Sequence, residues 1–167
     1  MARLVLVGLP GVGKTTVAHA LAVRWGCDEF DTDALVSTSV DMPSAQYLRQ
    51  FGETHFRERE LDALHTALVG DAVVATGAGI ITTAPARELI TREFAIWLDA
   101  DDDTLIGRVS AGDDRPLLGD DRAEGVRRLR REREKWYRES SRVRVTATGT
   151  LDEVLERILA VTKELTP

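Results

Sequence analysis

The chain has 167 residues, enough for one compact domain with its own core. It is 43% hydrophobic, 30% charged and only 5% aromatic, the balance of a soluble globular protein with an aliphatic interior. A net charge of −6 argues against general nucleic-acid affinity, and no stretch approaches the roughly 20 apolar residues that span a bilayer.

Cys27 is the only cysteine, so no intrachain disulfide forms. No signal peptide is read at the N-terminus, and the expected setting is the cytoplasm, without nucleic-acid or membrane partners. Leu4–Val7 is a short unbroken apolar run, expected to be a strand buried on both faces. Gly8-Leu9-Pro10-Gly11-Val12-Gly13-Lys14-Thr15 then satisfies the phosphate-loop pattern in full. Lys14 to Trp25 has helical spacing, and a short strand ends at Asp31. A polar, mostly helical region runs from Asp33 through Gly70, followed by a second central strand at Asp71–Thr76.

A helix is expected at Pro85–Arg92, with proline in its first turn, and a strand at Phe94–Leu98. Asp101–Val109 reads as a helix whose leading aspartates suit the positive end of its dipole. Gly112–Asp121, rich in Gly, Asp and Pro, reads as a mobile loop. Ala123–Arg138 is a charged helix, Val143–Thr146 a last strand and Leu151–Glu164 an amphipathic closing helix. Such alternation implies an α/β fold with a parallel sheet covered on both faces, and ligands at the carboxyl ends of its strands.

The glycine loop carries the firmest functional reading. Its glycines let successive N–H groups point at one anion, and the helix behind it adds a positive end. Gly11, Val12, Gly13, Lys14, Thr15 and Thr16 are the expected nucleotide contacts. Lys14 is expected to reach the β- and γ-phosphates of ATP, and Thr15 to hold Mg²⁺. A chance glycine turn is the plainer alternative, disfavoured because the loop follows a strand and opens a helix.

Three other segments should face the loop: Asp31-Thr32-Asp33, Phe51-Gly52-Glu53 with Phe56, Arg57 and Glu60, and Gly77-Ala78-Gly79. Singly, they read as a helix cap, an exposed i,i+3 ion pair and a turn. Arg127, Arg128, Arg130 and Arg131 read as a solvated helix face. Trp25, Trp97 and Trp136 read as packing residues, and His19, His55 and His65 form no metal-ligand set.

Taken together, the phosphate loop, Asp31-Thr32-Asp33, the Phe51 to Glu60 segment, Arg115-Pro116-Leu117-Leu118 and Arg133…Tyr137 resemble the shikimate kinase family over nearly the whole chain. The resemblance implies a P-loop NTPase three-layer αβα sandwich with a five-stranded parallel sheet and a mobile lid. It implies one domain over residues 1–167, with an acceptor-binding region at about 32–60 and the lid at about 112–121. It also implies phosphorylation of the 3-hydroxyl of shikimate by ATP, in the aromatic amino-acid (chorismate) pathway.

Residue by residue, Asp31 resembles the carboxylate that helps hold Mg²⁺ through water. Asp33 resembles the group that binds the acceptor hydroxyls and takes a proton. Arg57 and Arg133 resemble the pair that grips the shikimate carboxylate, with Glu60 holding Arg57. Gly77, Ala78 and Gly79 line the acceptor, Arg108 matches a position that stacks on adenine, and Arg115 matches the lid arginine facing the transferring phosphoryl group. A monomer is expected.

The chain departs from the family pattern at Ala78, where a glycine is usual, at Ala75, where a serine is common, and in a short Thr146–Thr150 segment. If residue 78 requires positive φ, alanine there costs about 1 kcal/mol or more. The alternatives are a related kinase of another cyclic polyol acid or sugar acid, and a nucleotide-binding regulatory protein with weak turnover.

Overall fold

The computed structural model describes residues 2–109 and 118–163. Five strands form one parallel sheet in the order β2-β3-β1-β4-β5: β1 (Leu4–Val7), β2 (Asp28–Asp31), β3 (Ala72–Ala75), β4 (Ala95–Asp99) and β5 (Val143–Thr146). The central strand β1 pairs with β3 through Val5↔Val74 and with β4 through Leu6↔Ile96. All residues of β1, β3 and β4 are buried, which is why they read as continuous apolar runs and not as alternation. Leu4, Leu6, Ile96 and Leu98 are completely enclosed, and each contributes about 1.5–3 kcal/mol by leaving water.

Helices cover both faces. Helix α1 (Lys14–Trp25) packs on the sheet beside α7 (Leu151–Val161). On the other side, α6 (Arg122–Ser140) packs against β4 and α4 (Ala84–Arg92), and α5 (Asp102–Val109) leans on α6. Helices α2 (Thr32–Val40) and α3 (Ser44–Ala67) pair with each other near the β2 edge, around a small cluster of Val36, Phe56 and Ala63.

Most expected boundaries lie within one or two residues of those observed, and local chemistry sets them. Asp31 caps α2 by accepting from the N–H groups of Asp33 and Ala34. Thr150 and Glu153 form a capping box that starts α7 at Leu151. That helix stops at Val161, earlier than the expected Glu164, as Thr162 turns its hydroxyl back to the Ile158 carbonyl. The stretch from Asp33 to Gly70 divides into two helices at Asp41-Met42-Pro43, and α3 is broken again at Gly52 (φ 84°, ψ 170°). A 3₁₀ turn at Ile80–Thr82, not anticipated from sequence, follows Gly79.

The expected lid falls mostly on residues 110–117, outside the described residues, and Arg115 lies there too. Among the described residues, no helix is long and apolar enough to cross a membrane.

Candidate active site

The loop after β1 sits at the middle of the sheet, where strand order reverses direction and a crevice opens at the carboxyl ends. Gly13 caps α1 with φ 99°, a left-handed conformation costly for other residues, and among the described residues no side chain caps the helix N-terminus by a hydrogen bond. The first N–H groups of α1 therefore face an open cradle. Lys14 is buried and folds back along the loop, donating to the carbonyls of Gly8 at 2.8 Å and Leu9 at 3.1 Å. Thr15 donates its hydroxyl to Asp31 Oδ2 at 2.6 Å, while Asp31 Oδ1 serves the α2 cap. Asp31 is thus both the helix cap and a wall of the phosphate end.

A cleft of about 450 Å³ runs from this cradle to the α2–α3 side. It is lined by Gly11, Gly13, Lys14, Thr15, Thr16, Asp31, Asp33, Arg57, Ala78, Gly79, Arg108 and Arg133, among others. A smaller hollow of about 280 Å³ shares Gly11, Gly13, Thr16 and Arg108 with it and extends to Val12, Ala147 and Gly149. Arg108 bridges the two sides of this hollow, donating to the Val12 carbonyl at 3.2 Å and the Ala147 carbonyl at 3.0 Å.

The far end of the cleft is unusually rich in buried charge. Arg57, Glu60 and Arg133 are 8%, 1% and 3% exposed. Arg57 donates to Glu60 at 2.6 Å and to Glu53 at 3.0 Å. Burial works against its charge, but Glu60 and Glu53 outweigh that, and its pKa is raised. Burial pushes the Glu60 carboxyl up to about 7; Arg57 pulls the other way, and Asp33 adds repulsion. Several polar atoms here lack a partner among the described residues: Arg57 Nε, Glu60 Oε1, and Nε and Nη1 of Arg133. Buried donors left open cost stability, so such a cluster is suited to a bound anion.

The segment after β3 closes this end. A methyl group on Gly77 would overlap Glu60 and lie 2.8 Å from Asp33 Oδ1, and one on Gly79 would overlap the Arg57 guanidinium. A side chain at either position would displace these charged groups from where they stand. Ala78 differs: Asp41 is the only non-glycine residue with positive φ among those described, so alanine at 78 carries no left-handed strain. The conditional cost of Ala78 does not arise.

Comparison with known proteins settles the relationship. The family model for shikimate kinase matches residues 10–163. The chain belongs to the shikimate kinase family. A shikimate kinase of Symbiobacterium thermophilum is 38% identical over 168 residues, 97% of each chain. The shikimate kinase of Acinetobacter baumannii, solved in complex with shikimate, superposes with a TM-score of 0.90 at 28% identity, over 96% of this chain and 93% of its own. That of Aquifex aeolicus gives 0.82 at 25% identity, over 98% and 96%. The family's P-loop fold, with its five-stranded parallel sheet, is the architecture described above.

One reading from the sequence needs amendment. Arg130 is not part of a solvated face. It is half-buried, donating to Asp99 at 2.9 Å and to Asp102 at 2.6 Å, and it ties α6 to the end of β4 and the start of α5. Arg127, Arg128 and Arg131 are exposed as expected. Three contributors to the site also went unassigned. Thr32 accepts from the Gly77 N–H at 2.8 Å, Glu53 is Arg57's second partner, and the Tyr137 hydroxyl donates to the Ala78 carbonyl at 2.5 Å. For Glu53 a signal existed, its i,i+4 spacing from Arg57. The other two bonds join distant segments and leave no local trace.

Proposed function

We infer that this protein is an ATP-dependent shikimate kinase, moving the γ-phosphoryl group of ATP to the 3-hydroxyl of shikimate in aromatic amino-acid biosynthesis. One observation carries the reading beyond the family relationship. A single cleft has an anion cradle at one end and two buried, incompletely partnered arginines at the other. Such a cleft suits a nucleotide triphosphate facing a carboxylate-bearing acceptor.

In this reading Gly11, Val12, Gly13, Lys14, Thr15 and Thr16 hold the ATP phosphates, and the smaller hollow beside Arg108 takes adenine. Arg57 and Arg133 fix the acceptor carboxylate, with Gly77, Ala78 and Gly79 as the wall beneath it. Asp33 accepts the hydrogen bond of the attacking hydroxyl and takes its proton as the new P–O bond forms. The bond between the γ-phosphorus and the β-bridging oxygen breaks, and ADP leaves. Lys14 stabilises charge on the transferring group, aided by Arg115, which is assigned from sequence alone.

Thr15 and Asp31 place two hard oxygen donors 2.6 Å apart at the rim of the cradle, a donor set that suits Mg²⁺. When bound, that ion would neutralise and orient the phosphate oxygens. We further propose a monomer working in the cytoplasm.

The test is ADP release with ATP and Mg²⁺ against a panel of acceptors, with the phosphorylated product identified. Shikimate should be turned over in preference to other cyclic polyol acids and sugar acids. A sugar acid as the better acceptor, or no turnover of any acceptor, would overturn the reading.

A further inference from the structure

Strand β5 lies at one side of the sheet, so among the described residues the carbonyls on its far edge meet no neighbouring strand. Past its end at Thr146, residues 147–150 lead straight into α7, and Ala147 and Gly149 form one wall of the smaller hollow. Backbone at the end of an outer strand is ordinarily left to water and frays easily. Here side chains hold it instead.

Three successive carbonyls of this segment are gripped alternately from two sides. On the inner side, the Ala147 N–H donates to the Asp99 carbonyl of β4 at 2.7 Å, and Arg108 donates to the Ala147 carbonyl at 3.0 Å. On the outer side, Arg157 of α7 donates from Nη1 to the Thr146 carbonyl at 3.1 Å and to the Thr148 carbonyl at 2.7 Å. That nitrogen carries two protons, so it can serve both acceptors. A strand turns successive carbonyls to opposite edges, and the two arginines extend this pattern beyond the last residue of β5.

The helix that carries Arg157 is itself fastened to the segment it grips. One turn before Arg157, the Glu153 carboxylate accepts from the Thr150 N–H at 2.7 Å. The same carboxylate lies so close to Gly149 that a methyl group there would overlap it. Arg108 lines the hollow directly, whereas Arg157 stands outside its lining and reaches it only through the backbone.

We propose that Arg157 is a positioning residue for the nucleotide base, filling the open edge of β5 so that the Ala147 and Gly149 wall stays fixed beside Arg108. The inference rests on the reading above that places adenine in this hollow. Removing the guanidinium frees the Thr146 and Thr148 carbonyls together. Contact with the base then weakens, while the phosphate cradle, built on α1, and the acceptor end keep theirs.

Base and phosphate contributions separate when ADP is compared with inorganic tripolyphosphate, which carries no base. The variant Arg157→Met keeps a long apolar stem but offers no donor. Calorimetric Kd values for both ligands with Mg²⁺, and steady-state constants with ATP and shikimate, should be measured for wild type and variant. The expected result is a roughly fivefold weaker ADP Kd and higher ATP KM, with tripolyphosphate Kd, shikimate KM and kcat within about twofold. Arg157→Lys, which keeps a cationic donor, should bind ADP more tightly than Arg157→Met. An unchanged ADP Kd, an equal penalty on ADP and tripolyphosphate, or a lysine variant no better than the methionine one would overturn the proposal. So would a methionine variant that fails to fold, since Arg157 would then be an element of the fold itself. A wild type that binds ADP no more tightly than tripolyphosphate would overturn the placement of adenine along with this inference. A wild type that prefers ADP, with an indifferent Arg157→Met, overturns this inference alone.

Discussion

At the phosphate end of the cleft, one contiguous loop supplies the binding groups, and most of them belong to the backbone. At the acceptor end, Asp33, Arg57, Gly79 and Arg133 arrive from four separate segments, and the working groups are mostly charged side chains shut away from water. A backbone cradle is stable without ligand, because its N–H groups belong to the first turn of a helix that would form anyway and water can satisfy them. A cluster of buried arginines and carboxylates is held against its desolvation cost by the surrounding fold, and a bound anion relieves part of that cost. The first design recognises any polyphosphate. The second ties recognition to one spacing of carboxylate and hydroxyl.

The largest expected effect tests the phosphate end. Lys14→Ala should lower kcat at least a hundredfold, about 2.7 kcal/mol, because no other residue assigned to the contiguous loop supplies a cation to the transferring group. A variant with more than a tenth of wild-type kcat at saturating ATP would show that backbone groups alone suffice there. Arg57→Lys probes the acceptor end. It retains charge but loses the planar fork that Glu60 and Glu53 orient, so shikimate KM should rise roughly tenfold while ATP KM stays nearly constant. An equal rise in both constants would mean that the two ends are not independent.

A smaller effect concerns pH. The folded state holds the Glu60 proton with a pKa of about 7, against 4.5 for an ordinary glutamate, through burial opposed by Arg57 and Arg133 and reinforced by Asp33. The group's stabilising contribution is therefore complete below pH 4.5, declines as pH rises toward 7 and is flat beyond it. Glu60→Gln should remove that decline, which denaturant melts across pH 4.5–8 would register as a more upward slope than in wild type. Identical slopes would assign the burial cost elsewhere. The smallest effect is expected from Ala78→Gly. With no left-handed strain to relieve, acceptor constants should change less than about threefold and the melting temperature should not rise.

The same contrast governs what the sequence could tell. Leu4–Val7 and Val143–Thr146 are bounded as expected, because burial and turn residues are written locally in the chain. The phosphate loop is legible for the same reason: its chemistry is contiguous. At the acceptor end, Asp33, Arg57, Ala78, Gly79 and Arg133 line the cleft and Gly77 stands outside its lining, and apart from Glu60 the supports of these residues were invisible. Arg130 looked like one more arginine on a charged helix until Asp99 was seen beneath it, and Asp99 lies 31 residues away in sequence. Thr32 and Tyr137 act through backbone groups of the Gly77–Gly79 segment, whose positions only the folded sheet defines. Ala78 looked like a strained departure because its φ is not readable from composition.

The position of β1 in the sheet has a consequence for synthesis on the ribosome. Its partners are Leu4↔Val73 on one side and Val5↔Ala95 on the other, both from chain made later. At about 5–20 residues per second, the strand that carries the ATP loop waits on the order of ten seconds for its neighbours. Throughout that interval the nascent chain holds the whole glycine motif and no phosphate site, for the cradle's geometry depends on a strand fixed from both sides. The most recognisable segment is therefore translated before the strands that enclose it, and it becomes functional only when they do.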